Sequence, residues 1–118
     1  VLVAEDEAEI RSMLSLILTD AGYRVVEAVD GEEALRRFSE HRESIQLLLT
    51  DVVMPKRNGR DLADAIRNQK PSIKVLFMSG YTADLIKNRG MLDDDVLLLS
   101  KPIMPDHLLA KVREVLNA

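Results

Sequence analysis

The chain has 118 residues, 47% hydrophobic and 31% charged, which suits one compact domain with a self-sufficient core and excludes two. Its 16 lysines and arginines stand against 20 aspartates and glutamates, a net charge of −4, and no basic block offers a footprint for nucleic acid. The absence of cysteine excludes disulfides, thiolate metal sites and a cysteine nucleophile. That absence fits a reducing compartment, so the cytoplasm is the default expectation. Apolar runs of about four residues fall far short of a membrane span and no signal-peptide pattern opens the chain, so a soluble domain is expected. The chain starts at Val1, without an initiator methionine, directly on a strand-like run, so it is expected to be one domain (residues 1–118) excised from a longer protein.

In chain order, residues 1–4 form a short apolar run that reads as a strand. A helical stripe follows, Ile10, Met13, Leu14, Ile17 and Ala21, closed by Gly22. The apolar pair at 25–26 predicts a second strand. A helix with Ala34, Leu35 and Phe38 on one face comes next, opened by an Asp30/Glu33 capping box. Residues 47–49 predict a third strand, and Leu62, Ala65 and Ile66 a third helix stopped by Pro71. Residues 75–78 predict a fourth strand, 82–91 the least periodic helix, and 96–99 a fifth strand. Leu108, Val112, Val115 and Leu116 stripe a last helix that Pro105 opens. The strand-like runs are continuous rather than alternating, the pattern of strands buried on both faces. Five alternations of strand and helix predict an α/β fold, a parallel sheet with helices on both faces and right-handed crossovers. Ligand chemistry then belongs at the carboxyl ends of the strands.

The residues after the first, third, fourth and fifth runs are Glu5-Asp6, Asp51, Ser79 and Lys101-Pro102. Three carboxylates brought together repel one another and hold their pKa values up unless a cation is present. A divalent ion and the lysine resolve that conflict, and oxygen ligands suit Mg2+ (or Mn2+) with waters retained. An Asp51 oxygen can then attack a phosphoryl group in line, with Lys101 and Ser79 stabilising the transferring oxygens.

The stretches Val3-Ala4-Glu5-Asp6-Glu7, Leu49-Thr50-Asp51-Val52-Val53-Met54-Pro55 with Gly59, Phe77-Met78-Ser79-Gly80-Tyr81 and Leu99-Ser100-Lys101-Pro102 resemble the response-regulator receiver domains of two-component signalling. The resemblance covers essentially the whole chain. It implies a flavodoxin-like, five-stranded sheet of order 2-1-3-4-5. It also implies that Asp51 is the phosphoacceptor for a phosphohistidine, presented by a histidine kinase or histidine phosphotransfer domain. Asp6, Asp51 and the Val53 backbone carbonyl would bind the ion, with Glu5 joining directly or through water. Ser79 would be the switch hydroxyl and Lys101 its ion-pair partner, held by a cis peptide before Pro102. Phosphorylation would shift an equilibrium at the surface formed by about 82–118, toward a downstream output domain or protein. The stretch 77–82 resembles receivers attached to hybrid sensor histidine kinases, whose parent is expected to be bacterial and can be membrane-anchored.

Two positions depart from the family pattern. Glu5 replaces the commoner Asp, which favours a water-mediated metal contact. Leu98 occupies the place of an aromatic ring that usually turns inward, so Tyr81 is expected to move or gate instead. Val53 and Tyr81 offer no carboxylate or amide to orient water, so self-dephosphorylation is expected to be slow.

The same residues admit other readings. Glu5 and Asp6 also suit helix capping, and Asp6 is a candidate for both roles. The run Asp93-Asp94-Asp95 lacks the spaced ligands of a calcium loop and reads as a solvated turn. His41 and His107 read as surface histidines, and Met13 and Met78 as core filling. An aspartyl-phosphate phosphatase would place a general acid where Val53 stands. A flavin module would not follow its first strand with Glu5-Asp6-Glu7. A pseudo-receiver, acting by protein binding alone, is opposed by Asp6, Asp51 and Lys101. The five glycines never cluster into a nucleotide loop, so no kinase machinery is expected.

Overall fold

The computed structural model describes residues 1–54, 56–80 and 97–117. In chain order it contains β1 (Leu2–Ala4), α1 (Ala8–Asp20), β2 (Val26–Ala28), α2 (Gly31–Glu40), β3 (Leu47–Asp51), α3 (Gly59–Gln69), β4 (Lys74–Ser79), β5 (Leu98–Ser100) and α4 (Pro105–Leu116). The five strands form one sheet, ordered β2-β1-β3-β4-β5, with every neighbouring pair parallel. The α/β fold and its strand order are those expected. The helix expected at 82–91 and the Asp93-Asp94-Asp95 turn lie outside the described residues.

Continuous apolar runs follow from a sheet that has a core on each face. Leu2, Ala4, Leu48, Val75 and Phe77 point to one side, where they meet Ala34 and Phe38 of α2 and Leu62, Ala63 and Ile66 of α3. Val3, Leu47, Leu49, Leu76 and Met78 point to the other, against Leu14 and Leu18 of α1 and Leu108, Val112 and Val115 of α4. Phe38 and Phe77 are among the largest side chains withdrawn from solvent. Truncating either to Ala would cost about 3–5 kcal/mol.

Burial on both faces holds for β1, β3 and most of β4 but fails at the edges. In β2, Val26 is half-buried and Glu27 exposed; in β5, Ser100 is exposed. An edge strand has a neighbour on one side only, and its runs start and stop later than the apolar residues suggest. β2 is Val26–Ala28 rather than 25–26, and β5 is Leu98–Ser100 rather than 96–99.

Helix ends follow local chemistry. Asp30 Oδ1 accepts from the Glu33 amide at 2.8 Å, and Glu33 Oε1 accepts from the Val29 amide at 3.0 Å, the reciprocal pair of a capping box. Gly22, at φ 96°, follows α1, α3 ends two residues before Pro71, and Pro105 opens α4.

The α1 stripe needs correction. Leu14 and Leu18 are its buried residues, whereas Met13 and Ala21 are exposed. Spacings of three and four both fit the sequence, and the sheet selects the i, i+4 pair, leaving Met13 on the flank rather than in the core. Ala63, not the half-buried Ala65, likewise joins Leu62 and Ile66 in the core.

Candidate functional site

The registers bring the strand ends to one level. Ala4 lies opposite Thr50, Asp51 opposite Met78, and Ser79 opposite Ser100. β1 therefore delivers Glu5 and Asp6, β3 delivers Asp51, β4 delivers Ser79, and Lys101 follows β5. The chain leaves β1 toward β2 on one side and β3 toward β4 on the other, so this is the switch point of the sheet. An open depression of about 310 Å³ lies there, lined by Asp6, Glu7, Asp51, Val53, Met78, Ser79, Gly80 and Lys101.

Lys101 organises the floor. Its Nζ donates to Glu5 Oε1 at 2.9 Å and to Asp51, with Oδ1 at 2.9 Å and Oδ2 at 3.1 Å. Glu5 is fully buried and is not among the lining residues, whereas its neighbour Asp6 is exposed and is one of them. The Lys101 amide donates to the Ser79 carbonyl at 2.8 Å, tying β4 to the turn that carries the ammonium. The Lys101–Pro102 peptide is cis. Ser79 is buried at the end of β4.

One carboxylate oxygen from each of Glu5, Asp6 and Asp51 lies within 4.8 Å of the others. An all-oxygen set of this charge suits a hard divalent cation. The second oxygen of Glu5, Oε2, is buried with no hydrogen-bond partner. A buried, unpartnered carboxylate oxygen is costly, and a cation beside it would offset that cost. These residues therefore fit a metal ion.

Burial pushes the Asp51 carboxyl above its ordinary 3.8, and the hydrogen bond and charge of Lys101 pull it part of the way back. The leading cause is thus loss of water, not the mutual repulsion expected from the sequence.

The connection after β3 is held by short-range contacts. Thr50 Oγ1 donates to the Asp51 carbonyl at 3.0 Å, and the Val52 amide to the Met78 carbonyl at 3.0 Å. The Gly59 amide donates to the Val52 carbonyl at 2.8 Å, and any Cβ on Gly59 would collide with the Asp51 carbonyl. Glycine is required there by close approach. Val53 is exposed at the rim, 57% accessible.

Not every expected role has a place. Glu7, not Asp6, stands at the N-cap of α1, and its side chain makes no capping bond, so the capping role expected for Asp6 is not the one observed. Leu98 is half-buried against the core cluster that contains Phe77. Tyr81 lies outside the described residues. His41 and His107 are exposed. Arg11 had no sequence signal, yet its guanidinium donates to the Glu5 carbonyl at 2.9 Å and lies 3.5 Å from Glu27.

A parallel 2-1-3-4-5 sheet with three carboxylates and a lysine at its switch point defines a phosphoacceptor signalling module in outline. The response regulator receiver domain pattern matches residues 1–113, and the chain belongs to that family. It is 34% identical over 118 residues to the response regulator receiver protein CpdR of Brucella abortus, covering 100% of this chain and 97% of that protein. It is 35% identical to the sensor kinase CckA of the same organism over 99% of this chain, yet spans only 12% of that kinase. Among solved structures, the CheX-CheY-BeF3-Mg complex from Borrelia burgdorferi superposes with a TM-score of 0.83 at 25% identity, covering 97% of this chain and 86% of the other. Among the described residues, no helix is long and apolar enough to cross a membrane.

Proposed function

We propose that Asp51 takes a phosphoryl group from a phosphohistidine, with a divalent ion held by Asp6, Asp51 and the Val53 carbonyl and with Glu5 contributing directly or through water. The observation that carries this reading is the shared lysine. Lys101 sits between Glu5 and Asp51, beside a cluster in which one carboxylate oxygen from each of Glu5, Asp6 and Asp51 lies within 4.8 Å of the others. In the transfer, an Asp51 oxygen forms the new P–O bond while the P–N bond breaks and the imidazole keeps the electron pair. The ion, when bound, supplies charge to the transferring oxygens. Lys101 and the Ser79 hydroxyl stabilise the same oxygens, and the small movement that satisfies the new group is the proposed switch. The similar CheY complex contains BeF3 and Mg2+, which supports a divalent ion in this reading.

The donor would be a histidine kinase or histidine phosphotransfer domain. An apolar hollow lined by Ile10, Met13, Lys101, Pro102 and Ile103 shares Lys101 with the site, and it suits the apolar face of such a donor. A downstream output domain or protein would read the switched surface. Placement in a hybrid sensor kinase is supported by the similarity to CckA, and the full-length match to CpdR equally supports a free-standing regulator.

The test is intact mass after incubation with a small-molecule phosphodonor, with and without Mg2+. One Mg2+-dependent phosphoryl adduct, absent in Asp51→Asn, is expected. A folded protein that takes no adduct from any donor would instead be a pseudo-receiver, and rapid turnover of the donor would point to a phosphatase.

A further inference from the structure

The connection between β3 and α3 carries Val53 along the rim, and its far side rests on the first turn of α2. Gly31 is buried there, and the backbone of Arg57 lies against it. A Cβ on Gly31 would stand 2.5 Å from both the Cβ and the carbonyl oxygen of Arg57. That is about 1 Å inside ordinary contact, so either the connection or α2 would have to move by a comparable distance. Next to it, Lys56 adopts a left-handed backbone with φ 68°, and its ammonium lies 3.7 Å from Asp30 and 3.8 Å from Glu32, on either side of Gly31. The same Asp30 caps α2 through the Glu33 amide. At its base, the connection is pinned by the Gly59 amide to Val52. It is thus clamped at two points, one beside Asp51 and one on α2, with Val53 between them.

We propose that Gly31 is a positioning residue for the metal and phosphoryl site. Its missing side chain sets how closely the connection lies on α2, and hence where the Val53 carbonyl stands relative to Asp51. The inference rests on the reading of that site given above. It makes the first turn of α2 a second lever on the site, twenty positions away from Asp51 in sequence. Lys56 contributes less, because exposed ion pairs at these distances hold weakly.

The 118-residue chain can be titrated with Mn2+, following free Mn2+ by electron paramagnetic resonance at a temperature where every variant is folded. Gly31→Ala is expected to weaken Mn2+ binding by about tenfold, the scale of disturbed outer supports at metal sites. Alanine favours the helix itself, so α2 gains rather than loses intrinsic propensity. Adding Arg57→Gly to Gly31→Ala removes the Cβ half of the clash and should restore part of the affinity. Unchanged Mn2+ affinity in folded Gly31→Ala, even with a lowered Tm, would overturn the inference while leaving the site reading intact. No Mn2+ binding by the unsubstituted chain would remove both. A second measurement needs no variant. Coupling is reciprocal, so Mg2+ should slow hydrogen exchange of the Glu33 amide in the unsubstituted chain. Protection confined to the connection, without any in α2, would also overturn the inference.

Discussion

The floor and the rim of the depression differ although they share a sequence. On the floor, Glu5, Lys101 and Asp51 form a set centred on the lysine, with Glu5 fully buried and the lysine bonded to both carboxylates. On the rim, Asp6 and Val53 are exposed, although Asp6 is the next residue after Glu5. Both acids follow the end of β1, and the chain bends at Asp6, so two consecutive acids reach different environments. The dry one fixes the cation of the protein; the wet one is free to meet an ion from solution. The Lys101 charge is therefore chiefly a matter of stability and the Asp6 charge a matter of binding, while Glu5 and Asp51 bear on both.

The largest effect should come from breaking the floor. Lys101→Met leaves Glu5 and Asp51 buried without their cation, and removing one partner of a buried set costs about 3 kcal/mol. Urea denaturation of the metal-free protein would read this. The exposed pair Lys111–Glu114, at 3.5 Å, is the control, since Lys111→Met should change stability by only a few tenths of a kcal/mol. Equal effects from the two substitutions would erase the distinction between floor and surface.

A smaller effect sharpens the line between floor and rim, because Asp51 belongs to both. Its native pKa is raised, so the folded protein holds this proton more readily than the unfolded chain. Stability therefore falls as pH rises from about the unfolded value through the native one, and the penalty is fully present above it. Metal-free Asp51→Asn should accordingly melt a few degrees higher than the unsubstituted chain at neutral pH, with the gap closing in acid. Mg2+ at ten times its Kd should add about 1.4 kcal/mol to the unsubstituted chain and much less to Asp51→Asn. A variant that melts lower at neutral pH would mean that Lys101 outweighs burial at this carboxyl.

How far the sequence disclosed this arrangement depends on the range of the contacts. The strand ends were legible because each central apolar run stops at a polar residue, as Leu49-Thr50 gives way to Asp51 and Met78 to Ser79. The Asp30/Glu33 cap was legible because both partners lie within one turn. The face of α1 was not, since Met13 and Leu14 both fit the helical spacing and only the sheet chooses between them. The division of labour between Glu5 and Asp6 was also hidden, because it depends on Lys101, 96 residues away from Glu5. The approach of Arg57 to Gly31 joins two segments that share no motif.

The smallest effect belongs to the rim itself. Val53 stands exposed beside Asp51 and offers no hydrogen bond to a water approaching the phosphoryl group. Val53→Asn would place an amide there without altering Lys101 or Glu5 and without filling the core, since the side chain already faces solvent. An amide that orients water should shorten the life of the phosphorylated form by about tenfold, well below the scale of a true general acid or base. Decay of the phosphoryl adduct, followed by intact mass after removal of the donor, measures this. Because the floor is untouched, the urea midpoint should stay the same while the lifetime changes. A lifetime that holds despite the new amide would place control of hydrolysis on the floor, with Lys101 shielding the phosphoryl group from water.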